Sequence, residues 1–396
     1  MENKKREILI KALSIGISVA VLAAVVLGIV LVSRFIYNKG LKNDNKAANA
    51  SPTDVEIEVE DRETTEKTTA TTEIETTEET TTEETTEEVT EEEAEDDEEN
   101  DTTPPVLLVL NREPQIKQWE SFDIHKYIGY ADDWDRTPEF KVDGEVDTSS
   151  LGIYPLKITI TDKSGNETVA DMNVNVVSEI SPGKTRDSIE FDDFIKLYKN
   201  PSTELGIDVS RWQGDIDFNK VKEAGCEFVI MRVGGYDDGS VYVDSQYYKN
   251  LKNAKAAGLK IGIYYHAEER SVEEVKENVK WLMGVLDGEK LDYPIAYDWE
   301  DFANFESYKI NLHDINDIYQ TFYDEVTAAG YDAMLYSSKN YLMCLWTNKN
   351  KTPVWLAHYI DRTDYTGDYI MWQKDCKGRI DGISGDVDLN IMYIDR

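Results

Sequence analysis

Cysteine and basic residues are scarce in this sequence, and each shortage argues against a class of protein. The only three cysteines among 396 residues are Cys226, Cys344 and Cys376. They are too few and too far apart for a disulfide scaffold or a metal-site spacing. We therefore expect the three cysteines to be small, buried hydrophobic side chains. We expect the protein to bind no metal and no other cofactor. With 42 Lys and Arg against 79 Asp and Glu, the formal net charge is −37. That balance argues against a nucleic-acid ligand, because phosphate binding requires clustered basic side chains.

One apolar run, close to the amino terminus, is long enough to cross a membrane. Residues 12–32 carry no charge, and about 20 such residues span a bilayer core. The run is longer than the apolar region of a cleaved signal peptide. We predict a transmembrane signal anchor over residues 12–36, preceded by a basic cytoplasmic tail over residues 1–11. Basic residues flank the run on both sides, so the positive-inside rule does not decide which end is cytoplasmic. The orientation must be inferred from the function of the carboxyl-terminal domains.

Residues 43–103 contain almost none of the aromatic and aliphatic side chains from which a core is built. Thr and Glu dominate, in repeats such as Thr-Thr-Glu-Glu, and more than half of the acidic excess of the chain lies here. Such a segment cannot bury enough surface to offset its chain entropy, and repulsion between like charges extends it. We predict a disordered linker that spaces the following domains from the membrane.

Short alternating apolar runs occupy residues 104–178. Two of them, residues 154–161 and 169–176, flank Asp162-Lys-Ser-Gly-Asn166. This segment is rich in turn-forming residues, and the flanking runs alternate with the two-residue period of a strand. The pattern predicts a small antiparallel β-sandwich. Together with the opening Thr-Pro-Pro-Val and the segment Leu-Gly-Ile-Tyr-Pro, it resembles the immunoglobulin-like modules of bacterial surface proteins. No catalytic constellation occurs here, so we expect a spacer.

Strands and helices alternate over residues 204–396, after a polar connector over residues 179–203. Eight candidate strands begin near residues 205, 228, 260, 294, 333, 354, 370 and 387, whereas only five helices fit between them. Glycines follow four of these helices, as expected at helix carboxyl termini. The alternation predicts an α/β fold in which a mostly parallel sheet closes as a TIM-like barrel. Its working face is expected at the carboxyl ends of the strands.

Two acids follow the fourth predicted strand. The apolar run Tyr-Pro-Ile-Ala-Tyr ends in Asp298-Trp-Glu300, and side chains two apart on a strand share a face, roughly 7 Å apart along the backbone. Two carboxylates placed together are what acid chemistry on a glycosidic bond requires. The same spacing of Asp and Glu occurs elsewhere in the chain, but never after a comparable apolar run.

Two more acids are expected at the same mouth of the barrel. Asp208 ends the first predicted strand and Asp388 lies in the eighth, and these two strands are neighbours in a closed barrel. Carboxylates this close repel, so at least one pKa should be raised and supply a proton donor near neutral pH. Aromatic side chains at strand ends can stack on sugar faces, and we predict this role for Tyr264 and Trp355.

Several motifs of the barrel region resemble a known family in their order and spacing. They include Gly206-Ile-Asp-Val-Ser-Arg-Trp-Gln-Gly, Ala257-Gly-Leu-Lys-Ile-Gly-Ile-Tyr, Asp298-x-Glu, Trp355-Leu-Ala-His-Tyr, Trp372-Gln and Gly385-Asp-Val-Asp. Over about residues 205–395 the chain resembles family 25 of the glycoside hydrolases, the muramidases of the Chalaropsis and bacteriophage lysozyme type. The resemblance implies an irregular (β/α)5β3 barrel, which agrees with the five-helix count. It also implies hydrolysis of the β-1,4 bond between N-acetylmuramic acid and N-acetylglucosamine in peptidoglycan.

The resemblance also implies a role for each acid. Glu300 matches the general acid, and Asp298 matches the carboxylate that acts as nucleophile or steadies the acetamido group of the substrate. Asp208 and Asp388 match two supporting acids. The strand spacing fits a retaining or an inverting pair, and the resemblance favours retention.

Two other interpretations stay open, namely a glycosidase acting on another N-acetylhexosaminide such as chitin, and an adhesin that binds glycan without cutting it. The complete set of four acids favours the muramidase. We then expect a single-pass protein of the cell membrane whose catalytic domain is extracellular and faces the peptidoglycan wall. We also expect it to be a monomer.

Overall fold

The computed structural model describes residues 101–181, 186–237, 239–347 and 352–394. The predicted cytoplasmic tail, the signal anchor and nearly all of the linker lie outside these residues. Within the described ranges, no helix combines the length and apolar character needed to span a bilayer.

The amino-terminal domain is built from six strands in two sheets. They are β1 Val106–Val109, β2 Gln115–Lys117, β3 Ile128–Ala131, β4 Glu139–Asp143, β5 Gly152–Thr161 and β6 Glu167–Val177. Strands β1 and β3 form one antiparallel pair, and the other sheet has the order β2-β6-β5-β4. The predicted antiparallel sandwich needs one correction, since β2 pairs with β6 in parallel.

The long hairpin of β5 and β6 supplies most of this domain's core. Its turn forms at the predicted place, because the backbone N–H of Asn166 donates to Oδ1 of Asp162 at 2.8 Å and Gly165 adopts a φ of 89°. Alternate residues of the two strands, among them Ile158 and Val174, are fully buried in a cluster of their own. The alternation of apolar and polar residues along β5 and β6 thus correctly identifies which face of the hairpin is buried.

The carboxyl-terminal domain contains ten strands and seven α-helices among the described residues. The strands are β7 Ile189–Glu190, β8 Thr203–Val209, β9 Phe228–Asp237, β10 Ser240–Val243, β11 Lys260–His266, β12 Ile295–Asp298, β13 Ala333–Ser338, β14 Val354–Ala357, β15 Met371–Arg379 and β16 Val387–Tyr393. The helices are α1 Phe191–Tyr198, α2 Phe218–Glu223, α3 Tyr247–Ala256, α4 Val272–Leu286, α5 Phe305–Tyr308, α6 Leu312–Ala328 and α7 Lys339–Cys344.

Eight of these strands close into the predicted barrel, in the order β8-β9-β11-β12-β13-β14-β15-β16 and back to β8. Neighbours are parallel except at β16, which is antiparallel to both β15 and β8. The hairpin partner β10 was not predicted. Because β16 runs the opposite way, its amino end, not its carboxyl end, lies at the mouth formed by the carboxyl ends of the other strands.

Alternation along β12 separates the inside of the barrel from the surrounding helical layer. Ile295, Tyr297 and Trp299 join the large cluster between sheet and helices, whereas Ala296 belongs to the cluster inside the barrel. By the same alternation, Asp298 shares the inward face with Ala296. This explains why an apolar strand can end in acids without burying them among the helices.

The segment expected to be a connector is in part integral to the barrel. Strand β7 pairs with β15, and helix α1 buries Phe191 and Phe194 in the cluster between sheet and helices. Helix α1 is amphipathic, and the acidic side chains in its first turn interact favourably with the positive end of the helix dipole. The packed barrel domain therefore begins near residue 189.

The two domains contact each other through β3 and the segment that follows β12. The hydroxyl of Tyr130 donates to Oε2 of Glu306 at 2.8 Å. Arg136 donates two hydrogen bonds to Asp314, at 2.6 and 2.8 Å. At Gly129 the two domains approach so closely that an added Cβ would lie 2.5 Å from Cδ1 and 2.7 Å from the carbonyl oxygen of Phe302.

We expect Gly129→Ala to destabilise this junction. The added methyl group would overlap a backbone oxygen, which cannot rotate away, and overpacking of this kind costs about 1–3 kcal/mol. Differential scanning calorimetry should show a lower Tm for the variant. Gly284→Ala is the matched control, because nothing lies within 4 Å of its added methyl group and Ala favours a helix interior. A Tm that is unchanged in Gly129→Ala would contradict the close packing.

Candidate active site

The four predicted acids converge at one mouth of the barrel. Asp208 and Asp388 are direct partners in the register of β8 and β16, so their side chains leave the sheet on the same face. They hydrogen-bond to each other. Asp298 ends β12 and is 6% exposed, and Glu300, two residues on, is mostly buried.

Two amide side chains hold Asp208 in place, and the sequence analysis did not assign them to the site. The Nε2 of Gln373 donates to Oδ2 of Asp208 at 2.8 Å, and the Nδ2 of Asn390 donates to the same oxygen at 2.7 Å. Gln373 and Asn390 are also register partners on β15 and β16. Asn390 lies two residues after Asp388, so the inward alternation of β16 was the signal that could have identified it.

Each amide is oriented by donors on its other side. The oxygen of Gln373 accepts the hydroxyls of Tyr336 and Tyr359, at 2.8 and 2.7 Å. The oxygen of Asn390 accepts the indole N–H of Trp355 at 2.9 Å. With their oxygens occupied, both amides can present only N–H groups to Asp208. The network therefore favours an Asp208 that accepts hydrogen bonds.

Burial raises the pKa of all four acids, and repulsion from neighbouring carboxylates adds to the shift at Asp298, Glu300 and Asp388. Burial raises the pKa of Glu300 to about 7, with a further contribution from Asp208. Burial likewise raises the pKa of Asp208 to about 6, against the hydrogen bonds from its two amides. For Asp298 and Asp388, burial and the neighbouring carboxylates raise the pKa well above the usual range. The expected proton donor near neutral pH is thus present.

One buried cation makes Asp298 different from Glu300. Arg232 on β9 lowers the pKa of Asp298, against the burial and the repulsion from Glu300 that raise it. Arg232 is 8% exposed, and its Nε donates to Asp244 at 2.8 Å. The Asp298 Oδ1 has no hydrogen-bond partner among the described residues. The Arg232 charge therefore favours the ionised form of Asp298 and partly offsets the burial and repulsion that raise its pKa.

The aromatic side chains only partly match the prediction. Trp355 is 1% exposed, packed edge-on against Tyr336 and Tyr264, and its indole N–H holds Asn390. The prediction that Trp355 stacks on a sugar is wrong for this structure, because its ring has no free face. Tyr264 is partly exposed beside the acids, and its stacking stays a prediction. Trp212, which follows β8, is 49% exposed, and the sequence analysis did not select it.

We expect Glu300→Gln to raise the Tm at high pH only. A carboxyl whose pKa is about 7 in the folded protein and 4.5 in the unfolded chain destabilises the folded state as the pH rises between those values. Removing it should raise the Tm by about 2–6 °C at pH 8 and leave it unchanged at pH 4. Calorimetry at both pH values tests this, with the exposed Glu277→Gln as control. A gain that is equal at pH 4 and pH 8 would contradict the raised pKa.

A pair of buried carboxylates that includes a proton donor near neutral pH, at the mouth of a closed α/β barrel, is an arrangement that glycoside hydrolases use. Comparison with known proteins gives the family. Residues 207–383, which contain most of the barrel, match the model of the glycosyl hydrolases family 25. Residues 111–176 match the bacterial surface protein Ig-like domain.

Curated relatives share the barrel region. The autolytic lysozyme of Clostridium acetobutylicum is 30% identical over 190 residues, which are 47% of this chain and 54% of that protein. Lysozyme M1 of Streptomyces globisporus is 27% identical over 206 residues, again 47% of this chain and 66% of that protein. The chain thus spans about half to two thirds of the length of these relatives.

Solved structures match the same region. A bacterial lysozyme from Streptomyces coelicolor is 26% identical, with a TM-score of 0.42, and the match covers 48% of this chain and 92% of that one. A family 25 glycosyl hydrolase from Bacillus anthracis is 20% identical, with a TM-score of 0.43, and the match covers 50% and 91% of the two chains.

Proposed function

We propose that this protein is a muramidase that hydrolyses the β-1,4 bond from N-acetylmuramic acid to N-acetylglucosamine in peptidoglycan. The observation that carries the proposal is the pairing of Asp298 and Glu300 on the inward side of a family 25 barrel mouth, beside Asp208 and Asp388. The names of the curated relatives, which are lysozymes, support the same substrate.

The proposed reaction divides the work between the two acids. Protonated Glu300 donates its proton to the glycosidic oxygen as the bond to the anomeric carbon breaks. Ionised Asp298 stabilises the positive charge that develops on the sugar, either by direct attack or through the acetamido group. Glu300 then removes a proton from the attacking water. The charge of Arg232 favours the ionised form of Asp298, and we therefore assign the transferred proton to Glu300.

Product analysis on purified peptidoglycan tests the proposal. The digest is reduced with borohydride and analysed by mass spectrometry, with chitin digested in parallel. A muramidase leaves the new reducing end on N-acetylmuramic acid, which appears as muramitol. A reducing end on N-acetylglucosamine, or cleavage of chitin in preference to peptidoglycan, would reject this specificity. Binding without any cleavage would indicate an adhesin instead.

We further propose retention of the anomeric configuration, on the family resemblance. Proton NMR of the first product, recorded before mutarotation, should show the β-anomer. An α-anomer as first product would exclude a retaining reaction.

The proposed location is the outer face of the cell membrane. The uncharged run of residues 12–32 supports an anchor, and the acidic linker that follows would, fully extended, span at most about 200 Å, enough to place the enzyme within the wall. Protease treatment of intact cells should remove the barrel from the membrane fraction. Full protection from protease would exclude this orientation.

The exposed ring of Trp212 supports a sugar-stacking position at the mouth. Its neighbour Arg211 lies with its guanidinium carbon 4.8 Å from the ring centre. The indole keeps an exposed surface, as a stacking contact with a sugar requires. We assign it this role alongside Tyr264.

A further inference from the structure

Three acidic side chains converge beside the contact between the immunoglobulin-like domain and the barrel, two from that domain and one, Asp101, from the residues that directly precede it. One carboxylate oxygen from each of Asp101, Asp132 and Asp133 lies within 4.8 Å of the other two. Oxygen ligands of Ca²⁺ lie about 2.3–2.6 Å from the ion, so opposite ligands are about 4.6–5.2 Å apart. All three oxygens therefore fit around one ion of this size.

A buried oxygen in this cluster has no hydrogen-bond donor. Asp132 is 1% exposed, and its Oδ2 has no partner among the residues that the structure describes. Its Oδ1 accepts the backbone N–H groups of Trp134 and Asp135, at 3.0 and 2.6 Å, which fixes the carboxylate in place. The Oδ1 of Asp133 is likewise buried and without a partner in this part of the chain.

Neighbouring acids of the same domain are compensated. Asp135 is also buried, but its Oδ1 lies 2.8 Å from Nζ of Lys163 and accepts the backbone N–H of Thr137 at 2.9 Å. Asp162 accepts the backbone N–H of Asn166 at Oδ1 and the side-chain Nδ2 of Asn166 at Oδ2, each at 2.8 Å. Because an uncompensated buried carboxylate is costly, the orphaned oxygens of Asp132 and Asp133 indicate a missing positive partner.

We propose that Asp101, Asp132 and Asp133 bind a calcium ion that fixes the immunoglobulin-like domain against the barrel. Carboxylate oxygens are hard ligands, and Ca²⁺ accepts an irregular set of them completed by water, whereas Mg²⁺ demands a nearly ideal octahedron. A bound cation would offset the repulsion among the three carboxylates.

The ligand segment is also the segment that touches the barrel. The backbone oxygen of Asp132 accepts the N–H of Leu312, the first residue of α6, at 2.8 Å. The backbone oxygen of Trp134 accepts Nδ2 of Asn311 at 2.9 Å, and its ring packs on His313 with centroids 4.3 Å apart. An ion that orders residues 132–134 therefore orders the contact with α6.

The test uses the full-length chain, stripped with EGTA and titrated with CaCl₂ by calorimetry. We expect one ion per chain and a rise in Tm of several degrees. The variant Asp133→Asn should bind Ca²⁺ at least tenfold more weakly, whereas Asp171→Asn, which alters an exposed acid of the same domain, should behave as wild type. Hydrogen exchange at the amide of Leu312 should slow when Ca²⁺ is added to the wild type and to Asp171→Asn.

Several results would overturn the proposal. They are the lack of saturable Ca²⁺ binding, unchanged binding in Asp133→Asn, and equal affinity for MgCl₂. Before Ca²⁺ is added, Asp133→Asn should be at least as stable as the wild type, because it removes a charge from a repelling cluster. A less stable variant would contradict that repulsion. None of these measurements depends on the enzymatic activity.

Discussion

Glu300→Gln should reduce peptidoglycan hydrolysis by about 10²–10⁴-fold, the contribution usual for a positioned general acid, while substrate binding survives. The amide has nearly the shape of the carboxyl group but cannot transfer a proton to the glycosidic oxygen. The measurement is the initial rate of muropeptide release from purified peptidoglycan, with a pull-down of insoluble peptidoglycan as the assay for binding.

Stability separates lost chemistry from lost folding. The same substitution is expected to raise the Tm at pH 8, because it removes a buried ionisable group whose pKa is about 7. A variant that is inactive, binds the wall and melts above wild type can only have lost catalysis. Glu277→Gln, an exposed residue on α4, should change neither property. Hydrolysis at more than a tenth of the wild-type rate would remove Glu300 from the role of acid.

The pH dependence of the wild type follows from the same group. A general acid works only while protonated, so the rate should fall as the pH rises through about 7. Because the four carboxylates interact, the measured limb belongs to the cluster as a whole, not to Glu300 alone.

Much of the barrel could be predicted from local patterns. Apolar runs ending in acids locate strand ends, and closure of eight strands requires the first and last to be neighbours. That requirement is why Asp208 and Asp388 could be paired without coordinates, and they are register partners. The hairpin turn at Asp162–Asn166 could also be predicted, because the residues that favour a turn act on the backbone next to them.

Other features depend on contacts that local patterns do not contain. Alternation shows that Trp355 faces inward, but only the neighbouring Tyr336 and Asn390 decide that it is buried and not available to a sugar. The bulges in β15 shift its register, so the approach of Gln373 to Asp208 could not be counted from the sequence. The contact between Gly129 and Phe302 joins residues far apart in the chain.

The oxygen cluster of the immunoglobulin-like domain was missed for a related reason. Cysteine spacing can indicate a metal site in a sequence, whereas Asp101 reaches Asp132 and Asp133 only through the fold. In a chain with 79 acidic residues, spacing alone cannot distinguish a ligand from a solvated side chain. Burial and the loss of hydrogen-bond donors make that distinction.

Asp298→Asn should lower kcat by about 10²–10³-fold, as removal of one group that stabilises transition-state charge does, with KM changed much less. The carboxylate stabilises a positive charge on the sugar that is fully developed only in the transition state. Its loss therefore affects the chemical step more than substrate binding. Arg232 keeps its ion pair with Asp244 in this variant, so the substitution removes the carboxylate without leaving that cation unpaired. Steady-state kinetics on soluble peptidoglycan fragments separates the two constants, and Asp317→Asn on the exposed face of α6 is the control. A rise in KM with kcat preserved would mean that Asp298 binds substrate and does not stabilise the transition state.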